Sequence, residues 1–134
     1  MTFIIKIIFY FLISITKLYD LGYFYGHQIR FDEIFKQNKN CYFVLFYLEK
    51  CLSCNGVIEY IEKNEKIHIY TIFFIDLLTL DESNRIYQNN NYNVSEYQNI
   101  SINLTPTLLA ICQGICINQT EGYQDIIYFL SDFS

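Results

Sequence analysis

Cys51 and Cys54, separated by Leu52 and Ser53, are two thiols close enough along the chain to close into a disulfide and open again. Such a pair carries out thiol–disulfide exchange when one sulfur is held as a thiolate and the other can reach it. Both conditions depend on what flanks the pair. Tyr42 to Leu48 is a continuous apolar run of aromatic and branched residues, as expected of a central strand buried on both faces. From Cys51 the period changes. Cys54, Val57, Ile58 and Ile61 recur at helical spacing, with Glu59, Glu62, Lys63 and Glu65 on the other face. Cys51 thus falls at a helix N-terminus, where unpaired N–H groups and the helix dipole favour a thiolate, and Lys50 adds a cation beside it. Cys54 lies about one turn inside, within reach of the first sulfur. These positions make Cys51 the attacking nucleophile, Cys54 the resolving thiol and Lys50 a residue that tunes the thiolate.

The surrounding elements follow from the same patterns. Leu21 to Tyr25 reads as a short strand, and Phe31, Ile34 and Phe35, with Asp32 and Glu33 in the first turn, as a short helix. Asn38-Lys39-Asn40 interrupts before the central strand. Ile67 to Ile75 is a second apolar run, read as a strand ending at Asp76, and it carries His68. Asp81 to Asn103 is polar and combines an irregular helix with a loop. Pro106 introduces Thr107 to Cys112, a turn at Gln113-Gly114, and Ile115-Cys116-Ile117, a hairpin. After Gly122, the residues Ile126, Ile127, Leu130 and Phe133 mark one face of a terminal helix. The fold class is α/β.

This order of elements, the Cys-x-x-Cys at the strand-to-helix junction and the later Thr105-Pro106-Thr107 resemble the thioredoxin superfamily over roughly residues 21 to 134. The resemblance implies a thioredoxin-like fold, a central mixed sheet flanked by helices. It further implies a cis peptide bond at Pro106 and a substrate strand held by backbone hydrogen bonds at Thr105. Glu121-Gly122-Tyr123 resembles the family's glycine-bearing turn. The chain also departs from the pattern. Lys50 stands where thioredoxins carry a tryptophan, Leu52-Ser53 replaces Gly-Pro, and Leu45 occupies the place of a buried aspartate that accepts the resolving thiol's proton. Glu49 is a solvent-facing partial substitute.

The length, 134 residues with 52% hydrophobic residues, suits one domain with a sizeable core. A net charge of −5 and the lack of a Lys/Arg stripe argue against a nucleic-acid binder. Residues 1–20 form a separate region, almost wholly apolar apart from Lys6 up to Thr16. The densest run, Ile7 to Thr16, has about ten residues, short of the ~20 that span a bilayer cleanly, and no small-residue cleavage site follows. Residues 1–20 read as an uncleaved signal anchor, or else a signal peptide, that puts domain 21–134 on the extracytoplasmic side, membrane-anchored or secreted; the other alternative is a buried first element of the domain.

With five cysteines, at least one lacks an internal partner. Cys41 reads as a packing residue. Cys112 and Cys116 read as small buried thiols, with a disulfide across the hairpin as the other reading. A zinc site built from Cys51, Cys54, Cys112 and Cys116 is formally conceivable but poorly matched, because one pair precedes a helix instead of a knuckle turn. His27 sits in a loop, and neither it nor His68 has a catalytic partner pattern. The sequons at Asn93, Asn99, Asn103 and Asn118 are expected by chance in so Asn-rich a chain.

The expected activity is disulfide exchange with protein thiols or disulfides. It requires no metal and no cofactor beyond the cysteines, and it needs a redox partner, not identified by the sequence, to recycle Cys51 and Cys54. A non-catalytic thioredoxin-like module that assists export or assembly of another protein is the alternative.

Overall fold

A computed structural model describes residues 22–86 and 90–133. The proposed membrane segment, residues 1–20, lies outside the described residues. Four strands form one mixed sheet: β1 (Cys41–Tyr47), β2 (Ile72–Asp76), β3 (Thr107–Cys112) and β4 (Ile115–Glu121), in the order β2-β1-β3-β4. β1 runs parallel to β2 and antiparallel to β3, and β3 and β4 form the antiparallel hairpin. Among the described residues three α-helices accompany them: α1 (Gly22–Gly26), α2 (Leu52–Lys63) and α3 (Tyr123–Ser131). Among the described residues no helix is long and apolar enough to cross a membrane.

Both faces of the sheet are covered, which is why β1 reads as an unbroken apolar run. On one face Phe43, Leu45, Phe74, Leu108 and Ala110 pack against Val57, Ile58 and Ile61 of α2 and Ile126 and Leu130 of α3. On the other, Val44, Phe46, Ile75, Leu109 and Ile111 meet Phe31, Ile34, Leu80, Ile100 and Ile102, supplied by short 3-10 helices and connecting segments. Asn84 holds that second cover together. It is buried, and its side-chain amide donates to the carbonyls of Tyr97, Gln98 and Ile100, so these three carbonyls are paired although the stretch has little regular structure.

Three sequence expectations are corrected. Residues 22–26 form a helix, α1, where a strand was expected over Leu21 to Tyr25. Local i,i+4 bonds explain it: His27 Nδ1 lies 2.7 Å from the Tyr23 carbonyl, and Gln28 Nε2 donates to that of Phe24. The second strand is shorter than Ile67 to Ile75. Residues Glu65–Tyr70 wind as a 3-10 helix, Thr71 turns the chain with φ +44, and β2 begins only at Ile72, which pairs with Phe43. Ile69, 77% exposed, shows that the apolar run is not one buried strand. His68 is accordingly on that 3-10 helix and not on a strand.

The third correction concerns cysteines. Cys41 is not simply a packing residue, and Cys112 is not a free thiol: the two form a disulfide across β1 and β3. Gln113 and Gly114 make a two-residue turn with φ +53 and +75, so Cys112 faces Ile115, while Cys116 faces Ile111. Consecutive residues of β3 point to opposite faces, and that separates Cys112 from Cys116. Cys116 is the free, buried thiol.

Candidate active site

The site is assembled where β1 ends, α2 begins and β3 is entered. The Cys51 N–H donates to the Leu48 carbonyl at 3.2 Å, closing a turn through the exposed Glu49 and Lys50. Cys51 is the N-cap of α2, in extended conformation, and its Sγ accepts the Cys54 N–H at 3.1 Å. A sulfur thus stands where capping oxygens normally do, against donors left without a helical partner. Cys51 and Cys54 are disulfide-bonded, their Cα atoms 5.2 Å apart. They differ in access: Cys51 is half-buried, whereas Cys54 is fully buried on the α2 face packed on the sheet.

The second half of the site comes from the entry to β3. The Thr105–Pro106 peptide bond is cis. Thr105 O lies 3.9 Å from Cys51 Sγ, so the Cys-x-x-Cys turn and the Thr105-Pro106 segment are brought into contact from 54 residues apart. Pro106 is buried, and its carbonyl accepts the Gly122 N–H at 2.9 Å. Gly122 holds φ +86 and ψ 155, a backbone state open almost only to glycine, and it caps α3. One anchor therefore links the site to the hairpin end and to the last helix.

Of the residues expected from sequence, Cys51, Cys54, Thr105 and Pro106 converge. Lys50 adjoins the pair in sequence but is exposed. Leu45 is fully buried in the apolar face against α2, so no carboxylate lies there, and Glu49 faces solvent. Leu52 and Leu104, 86% and 46% exposed, flank the two halves with apolar surface that the sequence reading did not single out. The formal zinc set does not converge, and among the described residues no group of three or more His, Cys, Asp or Glu is arranged to hold a metal.

The two histidines, given no partner by sequence, flank one ring. His27 and His68 stack on Tyr23 with centroids 3.8 and 3.9 Å apart, and they fasten α1 to the body of the domain. An open cleft beside them, lined by Tyr23, Phe24, Tyr47, Glu59, Glu62 and His68 among others, does not include Cys51, Cys54, Thr105 or Pro106.

No family model matches the sequence, and no curated protein does. Solved structures do. The chain is similar to a Schistosoma mansoni thioredoxin pre-protein at 18% identity and TM-score 0.54, over 80% of this chain and 96% of that one. It is similar to mitochondrial thioredoxin 3 of Saccharomyces cerevisiae at 14% identity and TM-score 0.54, over 79% and 91%. A Plasmodium falciparum thioredoxin matches at 20% identity and TM-score 0.51, over 80% and 98%. Identities this low speak to the fold alone, and the fold is thioredoxin-like.

Proposed function

We propose that this thioredoxin-like protein is a thiol–disulfide oxidoreductase acting on protein substrates through Cys51 and Cys54. The observation that carries the reading is the placement of Cys51 Sγ. It is half-buried at the N-cap of α2, accepts the Cys54 N–H and stands 3.9 Å from the Thr105 carbonyl. In the reduced protein the same N–H and the helix N-terminus favour a thiolate at Cys51, with Lys50 as a nearby positive charge. That thiolate attacks one sulfur of a substrate disulfide. The substrate S–S bond breaks, its electron pair leaves on the other substrate sulfur, and a mixed disulfide to Cys51 forms. Cys54, deprotonated, then attacks Cys51 Sγ, closes the Cys51–Cys54 bond and releases the second substrate sulfur as a thiol. The substrate gains two electrons that the pair loses. The same steps run backwards oxidise a substrate dithiol, and a separate redox partner returns the pair to its starting state. The backbone at Thr105 and Pro106 is the surface on which the substrate strand lies.

Replacing Cys54 by Ser removes only the release step. Cys54→Ser should accumulate covalent complexes that vanish on adding dithiothreitol, whereas Cys51→Ser should accumulate none, because Cys54 is fully buried. Equal trapping by both variants, or trapping by neither while the wild type turns over a model disulfide, would reject the assignment.

One observation favours a second reading, a non-catalytic module for export or assembly of another protein: Leu45 leaves no buried carboxylate beside Cys54 to take its proton. Insulin reduction and dithiol oxidation assays decide, since that reading requires no turnover in either direction. In both readings residues 1–20 tether the domain to a membrane, on its extracytoplasmic side.

A further inference from the structure

Cys41 and Cys112 are the first residue of β1 and the last of β3, directly opposite one another in the antiparallel ladder, with Cα atoms 4.1 Å apart. The Gln113 N–H donates to the Asn40 carbonyl at 2.7 Å, which makes the next pair outward a hydrogen-bonded one and Cys41–Cys112 a non-hydrogen-bonded one. In that register two side chains stand close on one face without a ladder bond between their backbones. The bond lies at the rim of the sheet: Cys41 is exposed and Cys112 half-buried, whereas residues 42–46 of the same strand are buried. It is also remote from Cys51, since six residues of β1 at about 3.3 Å each put ~20 Å between Cys41 and Tyr47 alone.

Position and access separate this pair from the other cysteines. Cys116, one strand over and on the opposite face of the sheet, is fully buried. Cys54 is likewise fully buried. Cys41 alone among the bonded cysteines belongs to an exposed residue, and access to a sulfur is what an incoming thiolate requires.

We propose that Cys41–Cys112 is a second thiol–disulfide exchange site, opened by solvent thiols or dithiols independently of Cys51–Cys54. A thiolate of the reductant attacks Cys41 Sγ. The Cys41–Cys112 bond breaks, its electron pair leaves on Cys112 Sγ, and that sulfur takes a proton. A second thiolate then attacks the reductant sulfur bound to Cys41, frees the Cys41 thiolate and forms the reductant's own disulfide. Two electrons pass from the reductant to the pair. The consequence is structural. β1 leads into Cys51 and β3 leads out of Pro106, so the bond is a covalent tie between the two strands that carry the halves of the site, placed at their far ends. Reduction removes the tie while leaving the site's own contacts in place.

The test uses the full chain carrying Cys51→Ser and Cys54→Ser, equilibrated without denaturant in buffers of increasing reduced-to-oxidised glutathione ratio. Free thiols are then blocked with N-ethylmaleimide and mapped by mass spectrometry. Two labels per chain should appear together as the buffer becomes reducing, on Cys41 and Cys112 and not on Cys116, and should disappear on return to oxidised glutathione. If Cys41 and Cys112 become labelled only at denaturant concentrations that also expose Cys116, the bond is a closed staple and the proposal falls. Labelling of both in the most oxidising buffer also overturns it. Should the double variant fail to fold, the same titration of the wild type decides by whether the Cys41/Cys112 peptides and the Cys51/Cys54 peptides convert at separate ratios. Failure of the trapping experiment on Cys54→Ser leaves this result untouched, because the double variant has no Cys51 thiol.

Discussion

At the scale of single residues, the surroundings of two sulfurs push their chemistry in opposite directions. Cys51 caps a helix and accepts an N–H, a setting that stabilises negative charge. Cys116 is enclosed by apolar side chains of the second core, and burial pushes its thiol up to about 11. A thiol whose folded pKa is raised keeps its proton while the unfolded chain has already lost it. Its contribution to stability is therefore complete below the ordinary thiol pKa and is lost as pH rises through the folded value. A pKa difference of two corresponds to about 2.7 kcal/mol, of which about 2 kcal/mol is lost by pH 11, where the folded thiol is half-ionised. Urea denaturation of the wild type between pH 8.5 and 11 should show falling stability, and Cys116→Val should lose about 2 kcal/mol less over that span. Half-buried Tyr23 and Tyr47 and buried Tyr42, also raised by burial, contribute to the decline in both proteins. Equal declines would show that Cys116 carries none of it. The position of Cys51 at the start of α2 was legible in the sequence because it is local, fixed by the change of period at Cys51. The Cys41–Cys112 bond was not, because it depends on the β1–β3 register between residues separated by 71 positions.

At the scale of elements, the central strand, the α2 amphipathic helix, the hairpin and the terminal helix follow from periodicity, and their misread neighbours have a common cause. An apolar run states that residues are buried, but pairing decides whether they form a strand. Ile67 to Tyr70 have no ladder partner, because β1 starts to pair with β2 only at Phe43 and Ile72, so they coil. Residues 22–26 lack any extended partner and close on themselves. Gly122 is the element-level junction most open to a test. A Cβ there meets no atom within 4 Å, so the cost of adding one is conformational and not steric crowding from neighbours. With φ +86 and ψ 155, Gly122→Ala should cost ~1–3 kcal/mol, and it should loosen the N–H bond that Gly122 gives to Pro106. Chemical denaturation gives the first. The second should appear as faster amide hydrogen exchange at residue 122, and an unchanged stability would mean that the junction relaxes without strain.

At the scale of the whole molecule, the question is whether the apolar N-terminal residues are part of the fold or an address. The two cores close on the two sheet faces using residues between Tyr23 and Phe133, and both faces of β1 are covered by them. α1 is itself fastened by the Tyr23 stack on His27 and His68, by the Phe24 N–H to Glu62 and by the Ile72 N–H to the Tyr23 hydroxyl. Ile7 to Thr16 is too apolar to stand in water without a partner, and a bilayer would supply one. On that ground we propose that the segment is a tether. The full chain should therefore sediment with membranes and resist carbonate extraction. A chain beginning at Leu21 should stay in the supernatant, unfold cooperatively in urea and keep the Cys41–Cys112 and Cys51–Cys54 bonds, as read by thiol counting before and after reduction. If the shortened chain is instead insoluble or lacks a cooperative transition, the N-terminal residues belong to the core, and the tether is excluded.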